Sequence, residues 1–218
     1  KLCRGLPPLK GRVSPKAEST KMKQDRFSNI LGDEYNLFRE TVPHHEEFQN
    51  KVGEIISNYS KSLSSDSILA VEGGTGTGLT AIRILEADSR VKVVCIDNEE
   101  KTFNKAKILL KEYEDRVEFK KEDILESLRK IQKNKTYIFV SVYTIHNLKP
   151  DYRNNVFKEV ARILKKGGLF VNGDKFAKDN EDENKADLEE QIKAFDRYSE
   201  SGRDDLRAEW VNHYREDE

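Results

Sequence analysis

The residues with the clearest chemical meaning lie in one stretch: Leu69-Ala-Val-Glu72-Gly73-Gly74-Thr75-Gly76-Thr77-Gly78-Leu79-Thr80. Glycines at this density let a turn tighten and let a ligand approach the backbone where a Cβ would stand in the way. Gly73 and Gly78 have the spacing of a triphosphate-binding loop, with Thr80 where a metal-binding hydroxyl would fall. The position that must be lysine is Leu79, so that cradle lacks its main cation and nucleotide hydrolysis is set aside. Gly76-x-Gly78-x-x-Ala81 also fits a loose dinucleotide pattern, with Asp97 able to hold a ribose. A tight turn with no ligand is the plain alternative. The loop alone does not choose among these.

Residues beyond the loop make the choice. From Glu72 onward, the stretch is an acidic residue at a strand end and then glycines at alternate positions, Gly74, Gly76 and Gly78. Asp97 closes the next apolar run, 25 positions after Glu72, where a carboxylate can accept from both hydroxyls of a ribose. Lys121-Glu122-Asp123-Ile124 comes after a third run, and Ser141 ends a fourth, with His146 shortly after. Arg162-Ile-Leu-Lys-Lys-Gly167-Gly168-Leu-Phe-Val precedes the end of a fifth. In this order the features resemble the class I S-adenosylmethionine-dependent methyltransferases, with Lys166 in place of their common proline. The resemblance implies that Glu72, Gly74, Gly76, Gly78, Asp97, Asn98, Asp123, Ile124 and Ser141 form the cofactor site. Asp123 would accept from the adenine amino group and Ile124 would offer its backbone N–H. The expected cofactor is S-adenosylmethionine, or S-adenosylhomocysteine as bound product.

Four further stretches are similar to the carboxy-S-adenosylmethionine synthases, which act in tRNA wobble-uridine modification. They are Phe38-Arg-Glu-Thr-Val-Pro43, Ile96-Asp97-Asn98, Asp174-Lys175-Phe176, and Tyr198-Ser-Glu with Arg207. That likeness implies a role for Arg207 in holding the extra carboxylate of a modified cofactor, across a dimer. It departs where His44 and His45 stand in place of an expected tyrosine. Sequences that methylate DNA or protein amides carry Asn or Asp, two prolines and an aromatic after the fourth strand; here the residues are Ser141-Val-Tyr-Thr.

His146 falls on the lip of the expected acceptor pocket and is the candidate catalytic base, against a wall or capping role. Methyl transfer often needs only alignment, so a base is not required a priori. Tyr35, His45 and Tyr143 are candidates to line the acceptor pocket, since aromatic faces attract a sulfonium. An exposed pair at a helix start is the alternative for His44 and His45. No metal site is expected, because only His213 and scattered carboxylates could join the two histidines.

The elements that must position these groups are read from periodicity. Short apolar runs at Ser67–Val71, Val91–Ile96, Arg116–Phe119, Thr136–Val142 and Leu169–Val171 read as strands. Helical patterns at Thr80–Ala87, Glu99–Tyr113, Ile124–Ile131 and Asp151–Leu164 separate them, with Gly167-Gly168 expected to end the last. Such alternation dictates a doubly wound, mainly parallel α/β sheet of Rossmann-like form. Before it, a helical cap (25–66) carries Phe48, Val52, Ile55, Ile56, Tyr59 and Leu63 on one face and is expected to lie over the site. The cofactor-binding domain spans 67–175, and helices occupy 176–218. Five strands are visible and the antiparallel hairpin common at the end of this fold is expected to be absent. An uncovered edge, with the stripe Leu206, Trp210, Val211 and Tyr214, favours a homodimer.

The chain has 218 residues, 36% of them charged, and a net charge of −1, so no global field steers it onto nucleic acid. The basic segment 1–24 reads as a disordered arm. Two cysteines far apart, Cys3 and Cys95, cannot make a disulfide framework. No apolar stretch approaches a membrane span. The expectation is a cytoplasmic methyltransferase acting on a small-molecule acceptor by direct in-line displacement. A cofactor-binding scaffold without activity is the reading from another class.

Overall fold

The computed structural model describes residues 31, 34, 37, 41, 42 and 44–215. The basic arm, Cys3 and the pocket candidate Tyr35 lie outside the described residues.

Helix α1 (His45–Lys61) is followed by β1 (Ile68–Gly73), α2 (Leu79–Ala87), β2 (Val91–Asp97), α3 (Glu100–Leu109), β3 (Val117–Lys121) and α4 (Ile124–Lys130). Then come β4 (Thr136–Val142), α5 (Pro150–Ile163), β5 (Leu164–Gly173), α6 (Glu181–Ala194), α7 (Asp196–Glu200) and α8 (Asp204–Arg215). The strands form one five-stranded sheet in the order β3-β2-β1-β4-β5. Every pairing is parallel. The expected Rossmann-like sheet is therefore present, with five strands among the described residues.

Alternation along the strands divides the core between the sheet's faces, because successive side chains point oppositely. Ile68, Ala70, Val93, Cys95, Ile138 and Val140 face α1, α2 and α3. Val71, Val94, Ile96 and Phe139 face α4 and α5, where Leu125, Leu128, Val156 and Val160 meet them. Helix α1 buries Val52 and Ile56, but Ile55 points outward and is exposed, so the cap stripe is narrower than its periodicity suggested.

Two boundaries differ from expectation. The 3-10 segment Lys111–Arg116 replaces the last turns expected of α3. Gly167-Gly168 does not end a helix: α5 stops at Ile163, and the glycines lie inside β5. Thr136 pairs with Leu164 and Ile138 with Leu169, so residues 165–168 bulge opposite Tyr137. Gly167 has φ +76, and a Cβ at Gly168 would stand 2.9 Å from the Lys165 carbonyl oxygen. Helical periodicity cannot reveal a bulge that tertiary pairing imposes.

The C-terminal stripe is buried within its own chain. Leu206, Trp210, Val211 and Tyr214 pack with Leu31, Phe195 and Tyr198, and Leu37 and Val42 lie against them. Gln191 Nε2 donates to the Thr41 carbonyl at 3.2 Å, which fastens α6 to the segment before α1. The stripe thus finds cover within its own chain. Replacing the buried Trp210 by alanine should cost about 3–5 kcal/mol, read as a lower urea midpoint. A loss under about 0.5 kcal/mol, the range of ordinary surface substitutions, would show that the stripe is not packed.

Candidate functional site

The carboxyl ends of parallel strands, where loops can carry polar groups, are where such sheets bind ligands. Strand β1 ends at Gly73, and the glycine turn bends back over it before α2 begins. Gly74, Gly76 and Gly78 have φ values of 80°, 54° and 90°, which a side chain would strain. Their surroundings distinguish them. A Cβ at Gly74 would fall 2.1 Å from Thr144 Oγ1, and one at Gly78 would crowd Ala106 at 3.2 Å. A Cβ at Gly76 would meet nothing within 4 Å. Gly74 and Gly78 are thus demanded by packing, whereas Gly76 faces open space, the side on which a ligand fits.

Asp97 braces this loop from the end of β2. Its carboxylate accepts from the backbone N–H of Gly76 at 2.6 Å and of Glu99 at 2.8 Å. Burial raises its pKa, and the N–H groups of Glu99, Gly76 and Asn98 oppose that rise. Each oxygen spends one lone pair on the backbone and has a second for a ribose hydroxyl. Asn98 is exposed beside it.

Glu72 lies beneath the loop, 1% exposed. The Cys95 thiol donates to its carboxylate at 3.8 Å. Burial, with help from the Asp97 charge, lifts the Glu72 carboxyl from 4.5 to about 8, although Thr75 and Cys95 favour its ionised form. Cys95 is buried and not in a disulfide, and burial pushes its thiol well up.

Two cofactor candidates have prior engagements. Ser141 is buried, and its Oγ donates to the Gly73 carbonyl at 2.8 Å, tying β4 to the end of β1. Asp123 accepts from Tyr152 Oη at 2.6 Å on both oxygens and caps α4 through the Glu126 N–H at 3.1 Å. Its carboxylate therefore positions the loop, and Ile124, half-buried at the start of α4, lies beside Gly73.

The acceptor candidates gather at the ends of β4 and β5. Tyr143 has φ 51, a strained value for an aromatic residue, and its N–H donates to the Gly173 carbonyl at 2.8 Å. Its ring lies 6.1 Å from that of His45, nearly parallel, and 5.4 Å from that of Phe48. His45 is buried, contrary to the expected exposed pair; of the two only His44 is exposed, with its Nδ1 2.8 Å from Glu47 Oε2. A helix start is usually open to water, but the aromatic stack covers this one. Thr144 leans on Gly74, and two residues later His146 pairs with Asp174, which directly follows β5. The Asp174 side chain is 2% exposed. The sequence marks Asp174 only within the stretch Asp174-Lys175-Phe176 that is similar to the synthases, and nothing in it assigns Asp174 to His146.

Arg207 is elsewhere, on α8, where its Nε donates to Asp196 at 2.8 Å. Among the described residues no cluster of three or more His, Cys, Asp or Glu could hold a metal. No described helix is long and apolar enough to cross a membrane.

A parallel sheet with a glycine turn after its first strand and a carboxylate braced against that turn is the arrangement expected of an S-adenosylmethionine-binding α/β domain. Residues 70–168 match the family model described as a methyltransferase domain. The carboxy-S-adenosyl-L-methionine synthase of Nautilia profundicola is 25% identical over 164 residues, covering 75% of this chain and 67% of that protein. The chain spans about two thirds of the length of the curated relatives it matches. A candidate S-adenosyl-L-methionine-dependent methyltransferase from Methanococcus maripaludis shares the fold at TM-score 0.54 and 17% identity, over 98% of this chain and 86% of that one. So does the 1,6-didemethyltoxoflavin-N1-methyltransferase of Burkholderia thailandensis, whose structure holds S-adenosylhomocysteine, at TM-score 0.56 and 14% identity over 75% and 66%. The region from β1 into β5 is thus similar to a methyltransferase domain.

The Glu72 carboxyl gives this domain a pH signature. Between about pH 4.5 and 8 the native state keeps a proton that the unfolded chain releases, so native stability falls as pH rises through that window. The slope is at most about 1.4 kcal/mol per pH unit. Above pH 8 both states are ionised and the slope vanishes. Urea denaturation of wild type and Glu72→Gln across this range should show the stability difference changing with pH; parallel curves would contradict the buried acid.

Proposed function

We propose that the protein transfers a methyl group from S-adenosylmethionine to a small-molecule acceptor by direct displacement. The observation that carries this reading is the glycine turn braced by Asp97, with Gly76 opening on unfilled space. In it Asp97 holds the ribose, the glycine turn and the neighbouring Glu72 border the amino-acid end, and Asp123 with Ile124 borders the base. Ser141 serves by fixing the carbonyl of Gly73 rather than by touching the cofactor. When bound, the cofactor supplies an electrophilic methyl group. The chain's own contribution is alignment: effective concentration of reactants held in line lowers the barrier without covalent catalysis. His45, Phe48 and Tyr143 form an aromatic wall on the acceptor side, beside His146.

A second reading is carried by the curated relatives, which are carboxy-S-adenosyl-L-methionine synthases at 25–26% identity. It requires a cation near the cofactor's methyl position. Arg207 is engaged with Asp196 within its own chain, so in this reading it must reach a second copy's site or leave that ion pair.

Titration calorimetry with S-adenosylhomocysteine tests the first reading. Wild type should bind, and Asp97→Ala should lose about 1.5–3 kcal/mol per charged hydrogen bond removed. Unchanged affinity would remove Asp97 from the site, and no binding by wild type would remove the reading. A native mass spectrum separates the two functions: a co-purifying ligand heavier than S-adenosylmethionine by a carboxylate would favour the synthase.

A further inference from the structure

The pair formed by His146 and Asp174 is more than alignment of a methyl group requires. Asp174 binds His146 twice. One carboxylate oxygen accepts from the His146 backbone N–H at 2.8 Å, and the other meets ring Nδ1. Both contacts are local to the loops that extend β4 and β5 past the sheet. The carboxylate is almost wholly buried, whereas the ring is 15% exposed. A buried acid that clamps both the backbone and the ring leaves the imidazole little freedom to rotate. It also fixes the tautomer: Nδ1 carries the proton toward Asp174, so the basic lone pair lies on Nε2. This is the arrangement by which a carboxylate orients a histidine base and stabilises the imidazolium it becomes.

The pair sits next to the glycine turn. Thr144, two residues before His146, donates to the Gly74 carbonyl at 3.4 Å, and a side chain at Gly74 would collide with it. On the other side stands the aromatic wall. Phe48 presses on Gly173, where a Cβ would come within 2.4 Å of its ring, and Tyr143 connects Phe48 to His45. Among the described residues, the charged and titratable groups near His146 include Asp174 from the β5 end and Tyr143 from the β4 end, with His45 on α1 behind Tyr143.

Resting on the methyltransferase reading, we propose that His146 is a general base oriented by Asp174, and that the acceptor is an aromatic compound methylated on a hydroxyl group. An aromatic amine or a carboxylate has a lone pair ready at neutral pH and needs no base. A phenol does not ionise until about pH 10, as the tyrosine side chain shows. In the step, the hydroxyl proton passes to Nε2 as an oxygen lone pair forms the O–CH₃ bond. The pair of the breaking C–S bond returns to sulfur, which becomes a neutral thioether. The imidazolium is held by Asp174 until it gives its proton to water. Asp174 is a positioning residue and does not touch the acceptor.

Two measurements test this on the whole protein. The first needs no turnover: long-range ¹H–¹⁵N spectra of histidine-labelled protein should show His146 with its proton on Nδ1, and Asp174→Asn should abolish that preference. A proton on Nε2 in wild type overturns the proposal. The second uses tritiated S-adenosylmethionine with a panel of simple phenols, matched anilines and matched benzoates. Phenols should be methylated, and His146→Ala should lower kcat about 10²–10⁴-fold with a small change in KM. Its residual rate should rise tenfold per pH unit, following the phenolate, more steeply than that of wild type. Asp174→Asn should lower kcat at least tenfold. Turnover of anilines or benzoates only, of none of the panel, or of phenols at wild-type rate and pH profile by His146→Ala, each overturns it. S-adenosylhomocysteine calorimetry keeps the two readings apart. Binding without phenol turnover sinks this inference alone; no binding sinks the methyltransferase reading with it.

Discussion

A parallel strand buried on both faces can carry polar side chains only where it leaves the sheet, because a polar group inside would lose its water without a partner. The interior positions of β1, β2 and β4 are accordingly Ile, Val, Ala, Phe and Cys. Their carboxyl ends hold Glu72, Asp97 and Ser141, and Asp174 follows β5. Since the strands run in one direction, these groups arrive at one edge together. The site is therefore a consequence of the sheet's parallel order rather than of any one motif.

The opposite edge obeys the same rule with the opposite charge. Helices end there, and the last carbonyls of each need donors. Arginines supply them. Arg90 donates to the carbonyls of Ser60 and Leu63 at the end of α1, and it also pairs with Asp88. Arg116 reaches the carbonyl of Leu85 in the last turn of α2 and that of Val91 where β2 begins. Arg162 closes α4 through the carbonyls of Leu128 and Ile131. A planar, permanently charged fork suits this multiple bonding better than lysine. The arginine that marks the run before the fifth strand thus acts at the end remote from the cofactor turn.

The two edges are joined to the flanking elements by few but specific ties. Tyr59 of α1 donates to the Gly167 carbonyl in the bulge of β5 at 3.0 Å, and Thr80 of α2 to Gln49 of α1 at 3.1 Å. At the site edge, the Lys175 ammonium lies over the Tyr214 ring and links the residue after Asp174 to the C-terminal cluster. Through that contact the packing of Trp210 and Tyr214 bears on where the end of β5 is held, and hence on Asp174.

Composition and periodicity are sufficient for the α/β class, the parallel sheet and the glycine turn, because burial on both faces writes continuous apolar runs and strand ends write polar ones. The carboxylate of Asp97 is legible for the same reason. Contacts between distant segments are not. Nothing near His146 in the chain announces Asp174, which is brought to it by the pairing of β4 with β5. Nothing in Asp123 or Ser141 announces that Tyr152 and the Gly73 carbonyl already hold them. His45 has the local sequence of an exposed helix start, and only Tyr143 and Phe48 cover it. Gly167-Gly168 has the local sequence of a helix stop, and only pairing with β4 makes it a bulge. The last helix has an apolar stripe with no evident cover until Leu31 and Phe195 close over it. In each case the local sequence sets which conformations are cheap, while the choice among them is made by which distant side chain fills the space.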